Sequence, residues 1–167
     1  MFIEDIVKTH LDSLQSDKPT ATGTLMRCSD AGSCQRARAF KAAKIPQTEE
    51  FDGRTLVAFE LGNALHTVVQ QALAATLNFE AEVIVDLTHL GVSLSGPDGD
   101  KSLVEIKTMS GYGAKVTFGK DPKIAHVAQA GLYALGLDCD EVIIVYVAKE
   151  SVMRTQIKPG DIYQWTL

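Results

Sequence analysis

The sequence predicts an α/β fold, and three observations carry that prediction. An apolar stripe of helical period runs from about Thr55 to Leu77, and three short segments rich in β-branched residues come after it. Further on, Glu141 to Ala148 is a nearly continuous apolar run, the mark of a strand buried on both faces. With 167 residues and 46% hydrophobic content, the chain can build one packed core and is short for two.

Each element has its own signal. Phe2, Ile3, Ile6, Val7, Leu11 and Leu14 fall at helical spacing, so a first amphipathic helix is expected to pack on the domain and to stop before Ser16-Asp17-Lys18-Pro19. From Arg27 to Lys44 the alanines suggest a second helix. In the long third helix, Leu56, Phe59, Leu65, Val68, Val69, Ala72 and Leu73 form the apolar stripe. Glu82 to Leu87, Gly91 to Ser95 and Leu103 to Thr108 read as strands of a meander. Met109 to Lys120 reads as a glycine-containing loop whose Tyr112, Lys115, Phe118 and Lys120 suit contact with nucleic acid, or a plain connector. Asp121-Pro122 is expected to cap and open a helix that runs to about Leu135, with Gly136 as its stop. After the buried strand, a last extended piece covers Val152 to Ile157 and ends at Pro159-Gly160.

A formal charge of -5 excludes a generally basic protein that coats nucleic acid, so phosphate binding requires a local patch. One exists: Arg27, Arg36, Arg38, Lys41 and Lys44 stand against the single acid Asp30, although a solvated helix face has the same composition. No apolar run approaches the length of a membrane span, and Glu4 and Asp5 stand where a signal peptide carries positive charge. The expectation is an intracellular, cytoplasmic protein without a membrane partner. Cys28, Cys34 and Cys139 form no C-x-x-C pair and leave an odd number, so reduced thiols are expected. No repeat, low-complexity tract or long linker divides the chain. Residues 1–167 are read as one domain, with a helical segment over 1–50 and a core over 51–158.

The candidate chemistry begins at Asp98 and Glu105-Ile106-Lys107. Gly96 to Lys101 has turn composition and Ser102 to Met109 has strand composition, so a hairpin is expected. With Asp100 and Lys101 as the two central turn residues, Asp98, Leu103, Glu105 and Lys107 share one face. Diagonal positions on such a pair lie about 7–8 Å apart, a span that two carboxylates close around a divalent ion with oxygen bonds near 2.1 Å. A three-residue loop would break that parity and defeat the argument; the two-residue turn favours Asp98 as the ligand, with Asp100 as the alternative. Ile106 would turn to the opposite face and be buried. Hydrolysis of a phosphodiester builds negative charge on oxygen and needs an activated water, which a metal supplies and a neighbouring lysine orients. Glu-x-Lys on a strand is by itself common on solvated faces.

Two helical patterns add to it. Gly62 lies one turn before His66 on the same face, and a helical glycine costs ~1 kcal/mol, so a close approach to that face is expected. His126, Gln129 and Tyr133 lie at i, i+3, i+7 and lay three polar groups along one face of an apolar helix; turned inward, they need partners.

In these four blocks the chain resembles the RecB-like branch of the PD-(D/E)XK nucleases that carries a Q-x-x-x-Y motif, a group including small recombination and CRISPR-adaptation exonucleases. Gly62 to His66 looks like the G-x-x-x-H block and Gly96-Pro97-Asp98 like G-x-D. Glu105-Ile106-Lys107 looks like E-x-K, and Gln129 to Tyr133 like Q-x-x-x-Y. The resemblance runs from about Arg27 to Ala148. It implies an αβββαβ core with a central mixed sheet flanked by helices. It implies Mg²⁺ or Mn²⁺ held by His66, Asp98, Glu105 and the Ile106 carbonyl, with Lys107 positioning water and Gln129 and Tyr133 steadying the site. Glu82 and Asp100 are candidate supporting acids. Arg27, Arg36, Arg38, Lys41, Lys115 and Lys120 are the candidate DNA contacts. The iron–sulfur cluster of many relatives needs four cysteines and is not expected here.

The resemblance implies a DNA nuclease, an exonuclease on ends or single strands in recombination or repair, of phage or mobile-element character, working with a recombinase or helicase partner on another chain. The competing readings are a structure- or site-specific endonuclease, including one acting on RNA, and a non-catalytic nucleic-acid-binding module of the same fold. Oligomeric state is left open.

Overall fold

A computed structural model describes residues 28–46, 51–77, 79–81, 102–151, 153 and 155–167, together with Ile6, Thr9, His10 and Ser13. Its described elements are α1 (Gln35–Ala42), α2 (Gly53–Thr76), β1 (Ser102–Met109), α3 (Gly111–Thr117), α4 (Ile124–Leu137), β2 (Glu141–Ala148) and β3 (Ile162–Thr166). The fold is α/β. The sheet order is β1-β2-β3, with β1 parallel and β3 antiparallel to β2. The expected strands over 82–87 and 91–95, and the turn carrying Asp98 and Asp100, lie outside the described residues, as do Arg27 and Glu82.

Side-chain alternation along β1 and β2 divides the core between two faces. On one, Ile106, Val145 and Val147 pack with Val69 and Leu73 of α2. On the other, Met109, Val142, Ile144, Tyr146 and Ala148 pack with Ala130 and Ala134 of α4 and Ala114 of α3. β2 is therefore covered on both sides, which is why it reads as an unbroken apolar run. Ile106 is 4% exposed, on the face opposite Leu103, as alternation requires.

Asp52 caps α2, its carboxylate accepting from the Thr55 N–H at 2.8 Å. The apolar stripe of this helix is only partly covered among the described residues: Leu56 is buried, whereas Phe59 and Val68 are exposed. Ile6, expected to pack, is helical and 47% exposed.

Four boundaries differ from the sequence expectation. The segment 109–120 is not a loop: Ser110 caps α3, accepting from the Gly113 N–H, and Gly111, Ala114 and Thr117 are buried. Helix α4 starts at Ile124, because Lys123 has extended backbone and its N–H donates to the Tyr146 hydroxyl from the N-cap position, and it runs through Gly136 to Leu137 before Asp138 turns left-handed. The final strand is β3, which comes after the Pro159-Gly160 turn instead of preceding it; 155–159 is not a strand. Its Trp165 packs on Tyr146, ring centroids 4.7 Å apart, which gives β3 a reason to pair there. The basic segment is a short 3-10 turn, Cys28–Asp30, and then α1.

Candidate active site

Glu105 and Lys107 stand on the α4 face of β1, two residues apart and therefore side by side. Their charges meet at 2.6 Å between Lys107 Nζ and Glu105 Oε1, with side chains 25% and 12% exposed. From α4, Gln129 reaches the same lysine, its Oε1 accepting from Nζ at 2.9 Å. Gln129 is buried, and its amide nitrogen lies 3.5 Å from the Tyr133 hydroxyl, at the weak limit of a hydrogen bond. The polar stripe of α4 thus finds its inward partners, as buried amides must.

His66 approaches from α2. Its Nε2 lies 2.6 Å from the Ile106 carbonyl oxygen, and because a carbonyl only accepts, Nε2 carries the proton. The glycine one turn earlier explains how the helix comes so close. A Cβ on Gly62 would stand 3.0 Å from Thr108 Oγ1 on β1, tighter than side chains normally tolerate. Glu105-Ile106-Lys107 is therefore gripped from both sides: α4 through the lysine, α2 through the backbone oxygen.

Cys28 is fully buried near this strand, and burial, then the Glu105 carboxylate, push its thiol up to about 11. A thiol so held is a packing group. His126 is shifted by its surroundings as well. Burial, then the charges of Lys107 and Lys123, lower its pKa to about 4, and Nδ1 is 2.7 Å from the Tyr146 hydroxyl. Tyr146 was invisible as a site residue within an apolar run. The one available signal was its phenol, which needs a partner when buried.

As arranged, His66 Nε2 donates its proton to the Ile106 oxygen, so the histidine could ligate a cation only with that proton moved to Nδ1. The oxygen ligands a hard divalent cation prefers are present in the Ile106 carbonyl and the carboxylate of the preceding residue, Glu105, which is paired with Lys107. Among the described residues no group of three or more His, Cys, Asp or Glu side chains gathers at one point. Asp98 and Asp100 lie outside them.

The expected nucleic-acid residues are dispersed. Arg36 lies over the Phe40 ring at 5.4 Å on α1, and Lys41 is paired with Asp30 at 2.7 Å. Arg38 lies on the same helix. Lys115 is on the exposed side of α3, and Lys120 in the turn after it. No helix among the described residues is long and apolar enough to cross a membrane. The chain matches no protein-family model, no curated protein and no solved structure.

Proposed function

We propose that this chain is a metal-dependent nuclease that hydrolyses phosphodiester bonds in DNA, with a PD-(D/E)XK core of the RecB-like type, acting on ends or single strands in recombination or repair. One observation carries the reading. Sequence blocks separated by dozens of residues meet on one tripeptide: His66 on the Ile106 carbonyl and Gln129 on Lys107, with Glu105 beside it. Ordinary salt bridging gives no reason for a histidine to grip the backbone between an acid and a lysine.

In this reading Glu105, the Ile106 carbonyl, Asp98 or Asp100, and His66 with its proton moved from Nε2 to Nδ1 would hold Mg²⁺ or Mn²⁺. Polarising a phosphoryl oxygen and activating water near neutral pH is the chemistry such an ion supplies. Lys107 holds the attacking water and offsets developing charge, and Gln129 keeps its ammonium from swinging away. Glu105 holds Lys107 by its ion pair and would present its carboxylate to the cation. Tyr133 backs Gln129.

The test uses end-labelled linear and covalently closed circular DNA, single and double stranded, with Mg²⁺, Mn²⁺ or chelator, alongside Lys107→Ala and Glu105→Ala. Metal-dependent loss of linear DNA alone, absent in Lys107→Ala, establishes the exonuclease, and Glu105→Ala loses metal affinity. Cutting of circles establishes an endonuclease instead. Wild-type binding without cleavage establishes a binding module, and full activity in either variant rules out this assignment.

A further inference from the structure

One polar residue on the inward face of α4 has no part in the chemistry above. His126 lies one turn before Gln129, and its ring is fixed twice by Tyr146. The two rings meet edge to face, centroids 5.3 Å apart and planes at 84°, and Nδ1 lies 2.7 Å from the phenol oxygen. That oxygen also accepts the Lys123 backbone N–H at 3.0 Å. Among the described residues the phenol proton has no other acceptor than Nδ1, and a phenol donating to Nδ1 leaves the imidazole proton on Nε2.

The far nitrogen is the informative one. Among the described residues Nε2 has no hydrogen-bond partner, yet no buried side-chain nitrogen or oxygen is left without one, so Nε2 is open to solvent. It is close enough to Lys107 for that charge to act on the ring. Strand register says why: Tyr146 is the parallel partner of Lys107, side by side on the same face, at the usual spacing of about 4.8 Å between strands. The ring is neutral at ordinary pH, so it adds a donor beside the lysine without adding a second positive charge. A ring N–H oriented by a buried tyrosine, with the Lys107 charge near enough to act on the ring, suits a ligand with several anionic oxygens on one centre.

We propose that His126 is a substrate-contacting residue, its Nε2–H donating to a non-bridging phosphodiester oxygen beside Lys107; the inference rests on the nuclease reading. Tyr146 is the positioning residue that aims it. A merely structural histidine would need only the Nδ1 contact, so the two nitrogens are the way to separate the roles.

The experiment compares His126→Asn and His126→Gln with the wild type, reading kcat and KM on a labelled oligonucleotide with Mn²⁺ and the midpoint of thermal unfolding. Asparagine keeps an acceptor near the Nδ1 position and has nothing at Nε2, whereas glutamine places an N–H near Nε2. The expected result is near-wild-type unfolding for His126→Asn with kcat/KM down by on the order of tenfold or more. His126→Gln recovers most of that loss even if it unfolds earlier. Wild-type kcat/KM in His126→Asn, or losses in both variants that follow only their unfolding midpoints, overturn the proposal. If the wild type cleaves nothing, the nuclease reading has failed on its own. Oligonucleotide binding in chelator then decides: weaker binding by a well-folded His126→Asn supports the contact, and equal or absent binding by both proteins overturns it.

Discussion

Acidification from pH 7 to pH 4.5 should destabilise this protein through His126 in particular, and His126→Asn should remove that part of the pH dependence. In the unfolded chain the imidazole takes up a proton near pH 6.5; in the folded chain burial, Lys107 and Lys123 delay uptake to about 4. Between those values the unfolded state binds more protons, so stability rises with pH. The contribution is fully present above about pH 6.5 and is lost as pH falls towards about 4. Taken whole, the difference amounts to ~3 kcal/mol, but the ring is only partly buried and water screens it, which reduces the effect to about 1–2 kcal/mol. Denaturant unfolding at a series of pH values, for wild type and His126→Asn, gives a difference curve in which carboxylates elsewhere cancel. That curve should change by about 1–2 kcal/mol across the window, and the His126 ring signal, assigned by its loss in the variant, should titrate near 4. A flat difference, or titration near 6.5, would show that the ring is not enclosed as described.

Three further outcomes are expected. Gly32 has φ +70°, and a Cβ there would meet the Ala125 backbone at 2.7 Å, so Gly32→Ala should cost about 2–4 kcal/mol in denaturant unfolding; a loss below ~1 kcal/mol would mean that this turn does not dock on α4. Gly131→Ala, in open space on α4, should gain ~0.5–1 kcal/mol from helix propensity, whereas Gly62→Ala should lose that gain against Thr108; equal gains at both sites would contradict the close approach of α2 to β1. Arg36→Ala should weaken DNA binding and reduce its salt slope by about 1, while an unchanged slope would leave α1 a solvated face.

Much of the fold was legible because local signals agreed. Helix α2 and strand β2 follow from periodicity and from an apolar run, and both lie within two residues of where those patterns put them. The errors share a cause. Ser110 is a strong N-cap, but the glycines after it read as loop, since helix propensity counts their cost locally while the packing of Gly111 and Ala114 under β2 is tertiary. Asp121-Pro122 has the local chemistry of a helix start, yet Lys123 stays extended with its N–H on a tyrosine more than twenty residues away, and the helix begins after it. Strand β3 was displaced because Val152 to Ile157 looked equally extended. What separates the two is Trp165, whose value depends on Tyr146 waiting on β2.

The site divides along the same line. Gly62 and His66, and His126, Gln129 and Tyr133, are related by helical spacing, so sharing a face is a local property that a sequence carries. Which side chains those faces meet is set by the register of β1 on β2, and no local pattern carries that. The pairing places Lys107 beside Tyr146. A slip of one residue would set Lys107 against Val145 or Val147 and turn Glu105 and Lys107 to the α2 face, leaving Gln129 without its lysine and the His126–Tyr146 pair without the charge beside it. Several weak polar contacts on α4 therefore depend jointly on one register, and that register is held by apolar residues on the opposite face, Ile106 with Val145 and Val147 under α2. Substitutions in that apolar layer should for this reason impair the polar constellation together, before they unfold the domain.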